Sequence, residues 1–167
     1  DIEGQRDRTI LSYHFPKKFE IAKIPQTKWL YLTSIGHQFS RVWRDLRRQM
    51  DRCGPAVKIS FNPGGYEIKQ GFDFLQKIAQ KTEIFIVNKE EAGAIINQEN
   101  MAVKKTMFGS GDTFIGNSKN TVSPNNLPTG SKDRSRLVKN LIKKLHNLGS
   151  QITVITDGEK GVYAYDG

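Results

Sequence analysis

The chain has 167 residues, 37% of them hydrophobic and 26% charged, which suits a packed globular core, and no apolar run is long enough to cross a bilayer, so a membrane partner is not expected. Its one cysteine, Cys53, cannot form an internal disulfide, and the expected compartment is therefore the reducing cytoplasm. The net charge of +9 attracts polyanions without choosing among nucleic acid, anionic lipid and phosphorylated small molecules.

In chain order, Thr9 to Tyr13 reads as a short strand, and Trp29 to Leu32 as a second. Phe39, Val42, Trp43, Leu46 and Met50 recur at the helical period, which predicts a helix to about Arg52, stopped by Gly54 and Pro55. Val57 to Phe61 is the next strand, leaving through Asn62-Pro63-Gly64-Gly65, and a helix follows from about Gly71 to Gln80. Ile84 to Val87 is uninterrupted and apolar, the pattern of a strand buried on both faces of a parallel sheet, and a helix starts at Lys89 and runs to about Ile96. Residues 97–133 are rich in Asn, Ser, Gly, Thr, Lys and Pro and read as a long polar loop or surface insertion. Leu137, Val138, Leu141, Ile142, Leu145 and Leu148 stripe a helix from about Arg134, with Asp133 to cap its start and Gly149 its end. Ile152 to Thr156 and Val162 to Tyr165 are strands joined by a tight turn. This alternation predicts an α/β fold with a mostly parallel sheet and helices on both faces. Asp1 in place of an initiating Met leads us to expect a chain processed, trimmed or incomplete at its start, and the hairpin signal Asp166-Gly167 a fold that continues past Gly167.

In open α/β sheets ligands gather at the carboxyl ends of the strands. Polar clusters fall there at Asn62 to Gly65, Asn88 to Glu91 and Thr156 to Gly161. The helix after Val87 offers its free N–H groups and positive dipole end, which suit a phosphate. Each cluster also has an ordinary reading. Asn88 and Glu91 have the spacing of a capping box, and Thr156 to Gly161 has the composition of a turn between strands.

The set Asn88-x-x-Glu91, then Thr156-x-Gly158-x-x-Gly161, resembles the ribokinase-like (PfkB-type) carbohydrate kinases. Lys58 to Gly64 is similar to that family's strand ending in an Asn-Pro turn, and Gly4 to Tyr13 to its lid strand. The resemblance implies a partial ribokinase-like domain over residues 1–167, with a lid region at about 1–20, the insertion at 97–133, and a homodimer contact through the lid. It implies ATP and Mg²⁺ as cofactors and a sugar or nucleoside as substrate. Asn88, Glu91, Thr156, Gly158 and Gly161 would bind the nucleotide, Glu91 would order Mg²⁺ mostly through water, and Asn62 would sit near the substrate. The family's catalytic Gly-Ala-Gly-Asp follows the Thr-x-Gly-x-x-Gly strand, and no such motif follows Gly161 here, so the catalytic base is unassigned and the piece is expected to be inactive alone. Gly109-Ser110-Gly111-Asp112 is similar to that motif but precedes the Thr156 strand, and we read it as a coincidence.

The rivals are a catalytically dead nucleotide-sensing relative and a basic nucleic-acid-binding module. The second rests on Arg41, Arg44, Arg47, Arg48 and Arg52 along one helix face, which Asp45 and Asp51 partly balance. No aromatic stacking pattern of the kind single-strand binding uses interrupts these arginines, so nucleic acid is not the expected partner. His14, His37 and His146 have no metal-ligand spacing.

Overall fold

The computed structural model describes residues 19–21, 23–53, 57–108 and 131–167, with the side chains at 51–53, 101–108 and 131–134 excepted. Strands β1 (Trp29–Thr33), β2 (Lys58–Asn62), β3 (Ile84–Asn88), β4 (Ile152–Thr156) and β5 (Val162–Tyr165) form one sheet whose order in space is their order in the chain. The first four are parallel and β5 returns antiparallel to β4. Helix α1 (Phe39–Cys53) joins β1 to β2, α2 (Gly65–Lys69) and α3 (Phe72–Ala79) join β2 to β3, and α4 (Lys89–Phe108) and α5 (Ser131–His146) lie between β3 and β4. The mostly parallel α/β architecture is the one the alternation of elements implies.

One rung crosses the sheet. Leu32 pairs with Phe61, Phe61 with Phe85, Phe85 with Thr153, and Thr153 with Tyr165, so all five point to one face. Phe61 is its centre, with ring centroids 5.2 Å from Phe39 of α1 and 5.8 Å from Phe85. Phe39 in turn meets Phe74 of α3. Leu75, Ile78, Ala92, Ile95, Val138, Ile142 and Leu145 complete the same cluster from α3, α4 and α5. Each large apolar side chain fully removed from water here contributes roughly 1.5–3 kcal/mol.

The helices described therefore share one face, whereas alternation alone had implied helices on both. The reason is handedness. When parallel strands follow in order and each crossover is right-handed, every connecting helix falls on the same side. The other face shows it: Ile84, Ile86, Ile152 and Val154 are half-buried rather than buried, and Trp29, Tyr31 and Val162 are 44%, 65% and 65% exposed.

Several boundaries differ from expectation. The polar stretch after Ile96 does not start a loop, because α4 continues to Phe108. No glycine or proline stands between Gly93 and Gly109, so nothing in the covalent chain breaks the helix sooner. The α5 helix begins at Ser131, which puts Asp133 inside its first turn rather than at its cap. The short α2 was not anticipated. The lid strand Thr9 to Tyr13, His14 and the Gly109 to Asp112 segment lie outside the described residues.

At the carboxyl ends of β1 and β2, a buried glutamate ties two loops. Glu67 of α2 is fully buried, and its carboxylate accepts from the Gly64 N–H at 3.0 Å and the Ile35 N–H at 3.3 Å. Gly64 has to be glycine for space, since a Cβ there would stand 2.6 Å from the Ser34 side chain. Glu67→Ala orphans both amides, and we expect it to lower unfolding free energy by roughly 2–4 kcal/mol, with a smaller loss for Glu67→Gln, in urea titrations with an unchanged slope.

Candidate functional site

The three polar clusters all lie at the carboxyl edge of the sheet, and β-pairing decides how close they come. Asn88 and Thr156 are the last register partners of β3 and β4, and Val162 sits opposite Thr156 on β5. The structure thus brings Asn88 and Thr156 side by side, with the Gly158–Gly161 turn directly beyond. Asn62 stands apart on β2. The β2–β3 ladder pairs only Ser60 with Ile84 and Phe61 with Phe85. Just past it the Asn62 side-chain amide donates to the Ile86 carbonyl at 2.7 Å, doing what a backbone N–H would do if the strands stayed together.

Asn88 and Glu91 form the capping box that their spacing predicts. The Asn88 Oδ1 accepts from the Glu91 N–H at 2.7 Å, and the Glu91 Oε2 accepts from the Asn88 N–H at 2.9 Å. Two donors at the start of α4 are thereby satisfied. The box uses one oxygen of Glu91 and leaves Oε1 for other contacts. Burial pushes the Glu91 carboxyl above its ordinary value; the Asn88 N–H pulls it down and the neighbouring Glu90 pushes it up.

The Thr156 to Gly161 segment is a 3-10 turn between β4 and β5, closed by the Asp157 N–H donating to the Gly161 carbonyl at 2.9 Å. Gly158 and Gly161 hold φ of +55° and +97°, a region that favours glycine. A Cβ at either would meet nothing within 4 Å, so their backbone is open to approach.

Two residues that sequence reasoning left without a role join these motifs. Lys89, the first residue of α4, extends its ammonium to Asp157 of the turn, and each side chain is only 4% exposed. Glu90 stands 3.7 Å from the same ammonium but is largely in solvent. Both residues lie within the polar clusters, yet nothing in the sequence couples positions 68 apart. Only the β3–β4 pairing does.

The remaining candidates do not converge here. His37 packs edge-on against Tyr66, and His146 against Tyr165 with its Nδ1 3.4 Å from the Thr153 hydroxyl. Among the described residues no three His, Cys, Asp or Glu side chains gather as a metal-binding set. A depression of about 570 Å³ lined by Lys23 to Thr27, Met50 and Val57 lies at the opposite, amino edge of the sheet, away from these motifs.

No protein-family model and no curated protein matches the sequence. Among solved structures, the crystal structure of PfkB protein from Polaromonas sp. JS666 is similar over 82% of this chain, with 14% sequence identity and a TM-score of 0.43. The chain spans 36% of that protein's length.

The Glu91 carboxyl gives the site a pH signature. Its folded-state value is raised, so its stabilising contribution is complete at low pH and is lost as pH rises through that value. Glu91→Gln keeps an acceptor for the cap and removes the charge. Urea unfolding across pH should find the two proteins matched in acid, with the wild type falling behind Glu91→Gln above the ordinary carboxylate range.

Proposed function

We propose that the chain is part of an ATP-dependent phosphotransferase that passes the γ-phosphoryl of ATP to a hydroxyl of a sugar, sugar derivative or nucleoside. In that reaction the substrate oxygen bonds to the γ-phosphorus, the bond from that phosphorus to the β–γ bridging oxygen breaks, ADP leaves, and the hydroxyl proton passes to a base. The observation that carries the reading is the register pair Asn88–Thr156, which sets the Asn-x-x-Glu and Thr-x-Gly-x-x-Gly motifs side by side at the carboxyl edge.

The residues present fit a nucleotide and its ion in a particular way. The open backbone at Gly158 and Gly161 admits a phosphate or ribose without a side chain in the way. Asn88 and the start of α4 place a positive dipole end beside it. Glu91 is the carboxylate available for Mg²⁺, and with no three-residue ligand set among the described residues the ion would rest mainly on phosphate oxygens and water, reaching Glu91 through water. Bound there, Mg²⁺ would supply neutralisation of phosphate charge. This chain's own part is to position the polyphosphate between a helix start and a glycine turn. The base is unassigned, and Asp112 lies outside the described residues.

Calorimetric titration with Mg·ATP tests the reading. The chain should bind, and Gly158→Val, which puts a β-branched residue at a φ of +55°, should weaken binding at least tenfold. A chain that does not bind Mg·ATP, or a Gly158→Val protein that binds as the wild type does, overturns the assignment.

One observation favours a second reading, a basic nucleic-acid-binding module. Arg41, Arg44, Arg47 and Arg48 are all exposed on α1, and α1 has no acidic residue in its first turn. Of these, Arg41 lies in the first turn, where a cation opposes the helix dipole. Asp45 offers only long contacts, 3.9 Å to Arg41 and 3.7 Å to Arg48. In α5, by contrast, Lys143, Lys144 and His146 occupy the last turn, where the dipole favours them. If α1 contacts phosphates, duplex RNA or DNA binding should weaken steeply with salt, and Arg44→Glu with Arg48→Glu should abolish it and flatten the salt slope. Binding unchanged by that reversal rejects the module.

A further inference from the structure

We infer that Lys89 and Asp157 are positioning residues, which set the Asn88–Glu91 cap and the Gly158–Gly161 turn at one fixed separation so that both can face a single ligand. The inference rests on the nucleotide-site reading for what that ligand is, but its geometric core does not.

Beyond the Asn88–Thr156 pair the sheet no longer couples the two segments. After Asn88 the chain enters α4, and after Thr156 it enters the 3-10 turn. The turn's backbone bonds are internal, from Asp157 to Gly161, Lys160 to Asp157 and Gly161 to Gly158. Those of the cap are internal as well, running between Asn88 and Glu91. The Lys89–Asp157 ion pair crosses from one to the other.

Stability alone is a poor reason to build this pair. Lys89 is the first residue of α4, where the dipole disfavours a cation, and it is buried, which disfavours any charge. A buried ion pair gives back in attraction about what it loses in solvation, so an apolar pair of similar volume serves as well or better for stability. What an apolar pair does not supply is direction. A charge pair has its minimum where the ammonium meets the carboxylate, whereas apolar contact tolerates sliding. The pair also cancels the Lys89 charge, so an anion arriving at the edge meets the helix start and the open flanks of Gly158 and Gly161 rather than a free ammonium.

The test compares the wild-type chain with Asp157→Asn, Lys89→Met, and the apolar double variant Lys89→Met with Asp157→Leu. Three quantities are read: thermal unfolding, affinity for Mg·ATP by calorimetry, and amide hydrogen exchange at residues 88–91 and 157–161. The single variants should lose thermal stability, because each strands or removes a buried charge. The apolar double variant should regain the wild-type melting temperature while keeping at least a tenfold loss of Mg·ATP affinity and at least tenfold faster exchange at 157–161, with the exchange of β3 and β4 unchanged. Recovery of affinity and exchange together with stability would make the pair structural only and overturn the inference. If the wild-type chain does not bind Mg·ATP, the nucleotide-site reading fails and the exchange rates still decide whether the pair fixes the separation.

Discussion

Handed crossovers impose the constraint from which the rest of this structure follows. Four parallel strands laid down in chain order send the helices described to one face when each is connected in the usual right-handed sense. The Leu32–Phe61–Phe85–Thr153–Tyr165 rung then becomes the floor of a single core, and α1, α3, α4 and α5 become its cover. The same order directs every strand's carboxyl end to one edge, and that edge collects whatever polar residues follow the strands. The face that the described helices leave uncovered keeps apolar groups such as Trp29, Tyr31 and Ile86 at partial exposure, and parallel sheets are ordinarily covered on both sides.

At the carboxyl edge, the main problem is backbone satisfaction where ladders end. The exits of β1, β2 and β3 solve it with side chains. Glu67 takes two loop amides after β1 and β2, Asn62 takes the Ile86 carbonyl where β2 and β3 part, and Asn88 with Glu91 closes the start of α4. Buried amides and carbonyls left without partners would cost more than these bonds contribute, so the edge is ordered before any ligand is considered. That order matters to a site built of backbone and short polar side chains, because such a site has its groups in position in advance.

Most of the fold was legible because it rests on local patterns. The apolar stripe of α5, the alternation of strands and helices, and the strand at Ile84 to Val87 all follow from period and composition. Strand order does not, and it alone decides whether helices lie on one face or two. The end of α4 was misread because composition was used where only breakers decide: Asn97, Gln98, Glu99 and Asn100 are polar, but none of them stops a helix. At the site, the Asn88–Glu91 spacing was legible and its capping box formed as that spacing requires. The Lys89–Asp157 pair was invisible, since it depends on β3 meeting β4 across 68 residues. Glu67 was invisible for a similar reason: its partners at Ile35 and Gly64 are brought together only by the β1–β2 pairing.

Capping and turn chemistry at this edge would not compete with the proposed nucleotide binding. A capping box consumes one acceptor of Asn88 and one of Glu91, and in doing so it fixes both side chains in the geometry a ligand would meet. The turn consumes amides of Asp157, Lys160 and Gly161, and it leaves two glycines with open flanks. A raised Glu91 carboxyl adds a further link. The burial that makes its ionisation costly is the same burial that would make an approaching cation effective, because charge is poorly screened where water is thin. The ordinary structural role of each residue is therefore the means by which the edge is organised in advance of any ligand, and under the proposed function the two readings of the motifs would be successive steps of one construction.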